Sequence, residues 1–404
     1  MVVGVGGSSF AAELAAMSPM TGDAAPIGPD ELRARVAQAQ THMRHQNVQA
    51  LYLDSSTSLR YFTGLAFNLS ERLHGAIIPA EGEIVYLSPA FEEPKTRALL
   101  QFGGDIRLWE EHEDAAALVI DTVRSKGYAS GTLAIDPATP FHTVDGLRRA
   151  GNSFTFSNAS AITALCRQCK SPAEIALMQT AMTITLAVHK AVARALAPGV
   201  TTTEVAAFID VAHKACGVPT AFRGVQFGEA TAYPHGVPHP QTLADGDMVL
   251  VDTGCILHGY RSDITRTYVF GEPTPRQRDI WDLEKRAQLA GFAAARLGAP
   301  CEAIDNAARG EIIAAGYGPG YAVPGLPHRT GHGIGLDTHE EAYIVKGNMT
   351  PLQPGMCFSI EPMMCIYGEF GVRLEDAVYM TDAGPRWFTQ PCRSVDDPFG
   401  FEGR

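Results

Sequence analysis

Two stretches, LADGDMVLVDTG at Leu243–Gly254 and LQPGMCFSIEPM at Leu352–Met363, repeat one pattern. Each runs Leu-x-x-Gly, then an apolar strand, then an acid six residues after the glycine: Asp252 in the first, Glu361 in the second. Each is followed by a second apolar stretch that opens with another acid, Asp263 in YRSDITRTYVF and Glu375 in VRLEDAVYM.

A pair of helices precedes each repeat. SPAE at Ser171–Glu174 is a capping box with proline in the first turn and opens a helix to about Leu196. TTTE, with Thr201 as cap and Glu204 reaching back, opens another that stops at Gly217. The second pair runs from Pro275 to about Leu297, capped by Thr274 with Gln277, and from Glu302 to Ala315. The domain is therefore a duplicated helix-helix-strand-strand unit. Two such halves facing each other would bring four carboxylates from four strands into one cleft.

Upstream, the chain alternates strands and helices: VQALYLD from Val48, GAIIP and EIVYLS around a Glu81-Gly82 turn, a helix over Asp114–Ser125, then GTLAID and a further helix. The expected fold class is α/β (α+β). Residues 1–27 form a flexible leader, 28–162 an accessory α/β domain, and 163–404 the duplicated domain. Met17 and Met20 are alternative start residues.

A chain of 404 residues, 46% hydrophobic, buries a sizeable core and favours two domains. The formal charge of -12 disfavours nucleic acid or an anionic membrane surface as partner. No run of about 18 apolar residues marks a membrane span. The first 32 residues lack Lys and Arg, so no basic flank of a secretion signal is present. Eight scattered cysteines in a chain this large fit a reduced, cytoplasmic protein. Cys166 and Cys169 make one CxxC, but a zinc site needs a second pair.

A carboxylate inside a strand of Val, Leu, Ile and Phe cannot stay charged and unpaired, because desolvation costs several kcal/mol or forces protonation. No cluster of Lys or Arg lies nearby in sequence, so divalent metals are the economical counter-charge. His332 makes the set a mixed oxygen and nitrogen one, suited to manganese, cobalt, iron or zinc rather than calcium.

The ordered set of Asp252, Asp263, His332 in GHGIG, Glu361 in IEP and Glu375 in RLED resembles that of the pita-bread metallopeptidases, most closely the prolidase and aminopeptidase P branch. His235 in YPHGVPH, His328 in HRTGHGIG, His339 and Arg373 extend the likeness, as does LRYFTGL at Leu59–Leu65 in a creatinase-like N-terminal domain. The resemblance implies a peptidase that hydrolyses the Xaa-Pro bond of dipeptides or short peptides through a hydroxide bridging two divalent ions, Mn2+ first, with Co2+ or Zn2+ as substitutes. It implies that Asp252 holds one ion, His332 and Glu361 the other, and that Asp263 and Glu375 bridge them. Glu361 would also act as general base and acid, His235 and His339 would bond the substrate carbonyl or oxyanion, and His328 would line the pocket after the cut. Arg373 would orient the bridging carboxylates, and a homodimer is expected. His239 stays outside the set, because Pro234, Gly236 and Pro238 make that segment a loop rather than a helix.

Two positions depart from the family pattern. Cys365 stands where many members carry tyrosine, and HEEA, with Ala342, replaces HE-x-Pro.

Rival chemistries lack their residues. HEEAY has no second histidine for HExxH, no GxSxG occurs, and GHGIG lacks GxGxxG spacing. Within the fold, methionine aminopeptidases generally lack the N-terminal domain. Creatinase and histone-binding relatives have lost ligands that all stand here. A metal-dependent lyase on small sulfonium compounds differs in ligand spacing and is the remaining alternative.

Overall fold

The computed structural model describes residues 2–22 and 24–401. The chain divides into two compact units, Met1–Ala25 with Gln168–Arg404, and Pro26–Arg167 between them in sequence.

The first 25 residues differ from the flexible leader expected. Helix α1, Phe10–Ala15, is capped by Ser9, whose hydroxyl accepts from Ala12 N. Val2 is buried among Met248, Ile280 and Trp281. Val3 N donates to Asp396 O at 2.7 Å and Gly6 N to Ala193 O at 2.8 Å. Phe10 stacks on Phe208 with ring centroids 4.7 Å apart, and Glu13 accepts two bonds from Arg194. The segment carries no amphipathic period. Its partners are distant carbonyls and rings, which local sequence does not announce. Met1 and Asp23 of this segment, and residues 402–404 at the other end, lie outside the described residues.

The smaller unit contains α2 (Pro29–His45), β1 (Ala50–Leu53), α3 (Thr57–Thr63), β2 (Gly75–Pro79), β3 (Val85–Pro89), α4 (Glu93–Leu99), β4 (Asp105–Trp109), α5 (Ala115–Ser125), β5 (Gly131–Ile135), α6 (Phe141–Ala150), β6 (Phe154–Asn158) and α7 (Ser160–Arg167). The strands form one mixed sheet in the order β4-β3-β2-β1-β5-β6. Tyr52, Ile77, Leu87, Leu133 and Ile135 pack with Val119, Ile120 and Leu147 from α5 and α6. Each such aliphatic side chain withdrawn from water contributes about 1.5–3 kcal/mol. Gly64 ends α3 in the left-handed region, where a glycine carries no Cβ penalty. The observed boundary after Arg167 falls beyond the expected 162 because α7 belongs to this unit.

The larger unit continues with α8 (Pro172–Ala195), α9 (Thr202–Ala215), β7 (Thr220–Phe227), β8 (Met248–Leu257), β9 (Tyr260–Arg261), β10 (Ile264–Val269), α10 (Pro275–Ala294), α11 (Glu302–Ala314), β11 (Gly331–Gly333), β12 (Glu340–Ile344), β13 (Cys357–Ile360), β14 (Met363–Ile366), β15 (Phe370–Arg373), β16 (Asp376–Thr381) and β17 (Gly384–Trp387). Both capping-box partners are in place at Ser171/Glu174, Thr201/Glu204 and Thr274/Gln277. Each such cap contributes about 1 kcal/mol. One sheet runs β10-β8-β7, the other β12-β11-β13-β16-β17. An isolated bridge between Thr265 and Glu375 joins β10 to the start of β16. Helix α8 has the length and hydropathy of a membrane-crossing helix, but 56% of that window is buried inside the protein, which makes it a core helix.

The two halves are unequal. The second separates its acids by the hairpin β14–β15, with Met363 opposite Arg373 and Cys365 opposite Gly371, where the first has only the short turn from β8 into β9, with Leu257 opposite Tyr260. Only Asp252 lies within a strand. Asp263 immediately precedes β10, Glu361 follows β13, and Glu375 sits between β15 and β16. The expectation of four acids inside strands is corrected accordingly. A strand end frees the backbone from the ladder and lets the carboxylate turn toward its neighbours.

Candidate metal centre

The carboxylate oxygens of Asp263 and Glu375 and an imidazole nitrogen of His332 lie within 4.8 Å of one another, all three residues buried. His332 Nε2 is 3.0 Å from Glu361 Oε1 and 3.7 Å from Asp263 Oδ2. His332 Nδ1 lies 3.1 Å from the Gly333 carbonyl. A carbonyl only accepts, so Nδ1 donates to it, and Nε2 is the nitrogen turned toward the carboxylates. Gly331 allows this strand to approach β13, since a Cβ there would lie 2.0 Å from Ser359 O.

Asp252 is joined to the group through Arg373. Arg373 Nη2 donates to Asp252 Oδ2 at 2.6 Å, Nε to Thr265 Oγ1 at 3.1 Å and Nη1 to Pro234 O at 2.9 Å. Thr265 Oγ1 in turn donates to Glu375 Oε2 at 2.6 Å. Asp252 Oδ1 and Glu375 Oε1 are buried with no hydrogen-bond partner.

The electrostatics fit the same reading. Burial raises the Asp252 carboxyl, with Arg373 opposing, and raises Asp263 and Glu375 well above the usual range, reinforced by the neighbouring acids. At Glu361 burial also pushes upward, but the facing His332, the hydrogen bond between them, and His328 outweigh it and hold the carboxyl at about 2. A set that needs positive charge to ionise together, with two oxygens unbonded, has the donor chemistry of a divalent-cation site.

The histidines surround this set. His339 stands edge-on to His332 with ring centroids 4.2 Å apart; desolvation, then His332, lowers its pKa to about 4. His328 Nδ1 donates to Arg329 O, leaving Nε2 buried and unpartnered. His235 is exposed on the loop whose Pro234 carbonyl Arg373 holds, and His239 lies further along that loop.

Sequence reasoning missed several supports. Of the arginines that meet the acids, the sequence singles out Arg373 but not Arg266. Besides Arg373, Arg266 is fully buried, donates to Glu375 O at 2.8 Å and pairs with Asp376 at 2.7 Å. Removing one partner of such a pair costs about 3–5 kcal/mol. Ser359 Oγ donates to Glu361 Oε1 at 3.1 Å and accepts from His332 N at 3.0 Å. The only local signals were a serine two residues before Glu361 and a threonine-arginine pair just after Asp263.

Residues 176–382 match metallopeptidase family M24, and residues 35–169 match the creatinase/prolidase N-terminal domain. The chain belongs to metallopeptidase family M24. This M24 chain is 34% identical to the Xaa-Pro dipeptidase of Lactobacillus helveticus over 88% of its own length and 96% of the relative's. It superposes on the dipeptidase PepE of Mycobacterium ulcerans with a TM-score of 0.85 and 32% identity, covering 91% and 97% of the two chains. For the prolidase of Thermococcus sibiricus the values are 0.81 and 30%, with 89% and 96% covered. The fold is that of a pita-bread M24 domain with a creatinase-type N-terminal domain, the enzyme is a metallopeptidase, and the family implies divalent metals.

Proposed function

We propose that this M24 enzyme is an Xaa-Pro dipeptidase whose centre holds two divalent ions. The observation that carries the reading is the pair of buried, unbonded oxygens, Asp252 Oδ1 and Glu375 Oε1, set around a histidine whose Nε2 faces the acids. In this reading Asp252, Asp263, His332, Glu361 and Glu375 would hold the ions. The bound ions would supply a water acidified toward neutral pH and polarisation of the scissile carbonyl.

The protein's own groups do the rest. Glu361 takes the proton from the attacking water and delivers it to the leaving imino nitrogen. His339 and His235 donate to the carbonyl oxygen as it gains charge. His328 lines the pocket for the residue after the cut. Arg373 fixes Asp252 directly and Glu375 through Thr265. The names of the relatives support proline dipeptides as substrate.

Manganese is the proposed ion and a homodimer the proposed assembly. All eight cysteines are free thiols, which supports a reducing, cytoplasmic setting. The deciding experiment compares Ala-Pro with an Xaa-Pro-Xaa tripeptide in the presence of Mn2+. Faster hydrolysis of the tripeptide would make the enzyme an aminopeptidase, and hydrolysis of neither would reject the substrate class.

A further inference from the structure

The segment leading to His328 closes two backbone bonds of its own, Gly318 N to Pro324 O at 2.9 Å and Ala322 N to Pro319 O at 3.1 Å, and Gly325 pairs with Cys365 on β14. GYGPGYAVPG, Gly316–Gly325, has all four glycines at positive φ. Glycine loses more conformational freedom on ordering than any other residue. One side chain outside the segment ties it to the residues that follow, as far as His328.

Arg309 on α11 uses all five of its N–H donors. Nη1 donates to Gly320 O at 2.7 Å and Leu326 O at 2.8 Å, and Nη2 to His328 O at 2.7 Å and Asp305 Oδ1 at 3.1 Å. Nε donates to Asp305 Oδ2 at 3.3 Å. The ring of Tyr321, 48% exposed, lies 4.4 Å from the guanidinium carbon. Asp305, one turn back, also accepts from Thr330 N at 3.1 Å and Thr330 Oγ1 at 2.7 Å. The Thr330 carbonyl then accepts from Glu361 N at 2.7 Å.

We infer that Asp305 and Arg309 form a positioning pair for substrate binding. The guanidinium pins both ends of residues 320–328 and the backbone of His328, so the pocket after the cut is formed before substrate arrives. Asp305 ties the same lock to Glu361 through Thr330. The role assigned to His328 rests on the proposed substrate reading; the lock itself does not. Three carbonyls in different directions call for a planar fork of donors, and the three donors of a lysine radiate from a single nitrogen. A loop that must be ordered by the substrate itself weakens binding rather than turnover.

The test is Arg309→Lys, with Asp305→Asn as a second variant. The readouts are kcat and KM on Ala-Pro, bound manganese, and amide exchange measured residue by residue. KM for Arg309→Lys is expected to rise about tenfold, with kcat within about threefold, since losing pre-organisation acts on binding. Exchange over residues 320–328 should quicken at least about tenfold while β8, β10 and the metal content stay unchanged. Asp305→Asn, which keeps an acceptor for Thr330, should show a smaller change in the same direction. Unchanged KM and unchanged loop exchange would overturn the inference. So would loss of metal, kcat and global protection together, since the pair would then be a general brace. If the unaltered enzyme left Ala-Pro intact, the substrate reading would fall, and exchange over 320–328 would still decide on Arg309.

Discussion

Arg373 and Asp252 are 121 positions apart in the chain and 2.6 Å apart at their side-chain tips. The bond occupies one Asp252 oxygen and leaves the other open. Through Thr265 the same arginine also reaches Glu375. Arg373→Met should therefore weaken manganese binding about 10- to 100-fold, the usual effect of removing a group that orients a ligand. Competition against a fluorescent chelator measures it. Unchanged affinity would mean that the acids hold their places without the arginine.

Chelation should abolish peptidase activity, and Mn2+ or Co2+ should restore it. The metal should also raise the thermal midpoint, because an ion that binds the folded chain alone stabilises it by RT ln(1 + [L]/Kd). At an ion concentration a hundred times Kd this is about 2.7 kcal/mol. Full activity in a sample shown by elemental analysis to be free of metal would refute the proposed centre.

Cys365 should be dispensable for turnover. It is wholly buried on β14, and burial pushes its thiol up to about 12, with Glu284 adding to the shift. A thiol so placed is no nucleophile at neutral pH. Cys365→Ser should keep most of kcat while losing about 1–3 kcal/mol of stability if its hydroxyl stays unbonded. His339→Ala should lower kcat about a hundredfold, the scale of losing one oxyanion donor. A dead serine variant with full metal content would assign Cys365 a chemical step.

Acid should loosen the N-terminal domain through His74. Its Nε2 lies 2.9 Å from Thr96 Oγ1, its ring stacks on Phe67, and desolvation, opposed by Glu92 and helped by Lys95, lowers its pKa to about 4. The folded state thus binds the proton less readily than the unfolded chain, whose histidine titrates near 6.5. The stabilisation is complete above about pH 6.5 and is lost as pH falls from there toward 4. Amide exchange in β2 and β3 should accelerate over that window, and His74→Gln should flatten the dependence. An equal slope in the variant would place the acid sensitivity elsewhere.

What the sequence discloses depends on whether a residue offends its surroundings. Asp252 stands out because it interrupts MVLV in β8, and Glu361 because it closes the matching repeat. The caps at Ser171, Thr201 and Thr274 are legible because both partners lie within four residues. Arg266 and Asp376, by contrast, look like ordinary charges in sequence; only the fold sets them side by side in a dry interior. The glycine-rich stretch before His328 looks like slack, and nothing adjacent points to Arg309 as its anchor. The amino-terminal segment misleads for the same reason.

That segment bears on the order in which the molecule is made. Val2 and Val3 precede the smaller unit in the chain, yet they bond the carbonyls of Gly271 and Asp396, which follow it. Residues 26–167 are contiguous and can fold while synthesis proceeds. The larger unit must keep its opening strap waiting, undocked, until almost the last of its partners has been translated. Its assembly is thus closed by residues made well before their partners, and docking of this strap is a late step of folding rather than an early one.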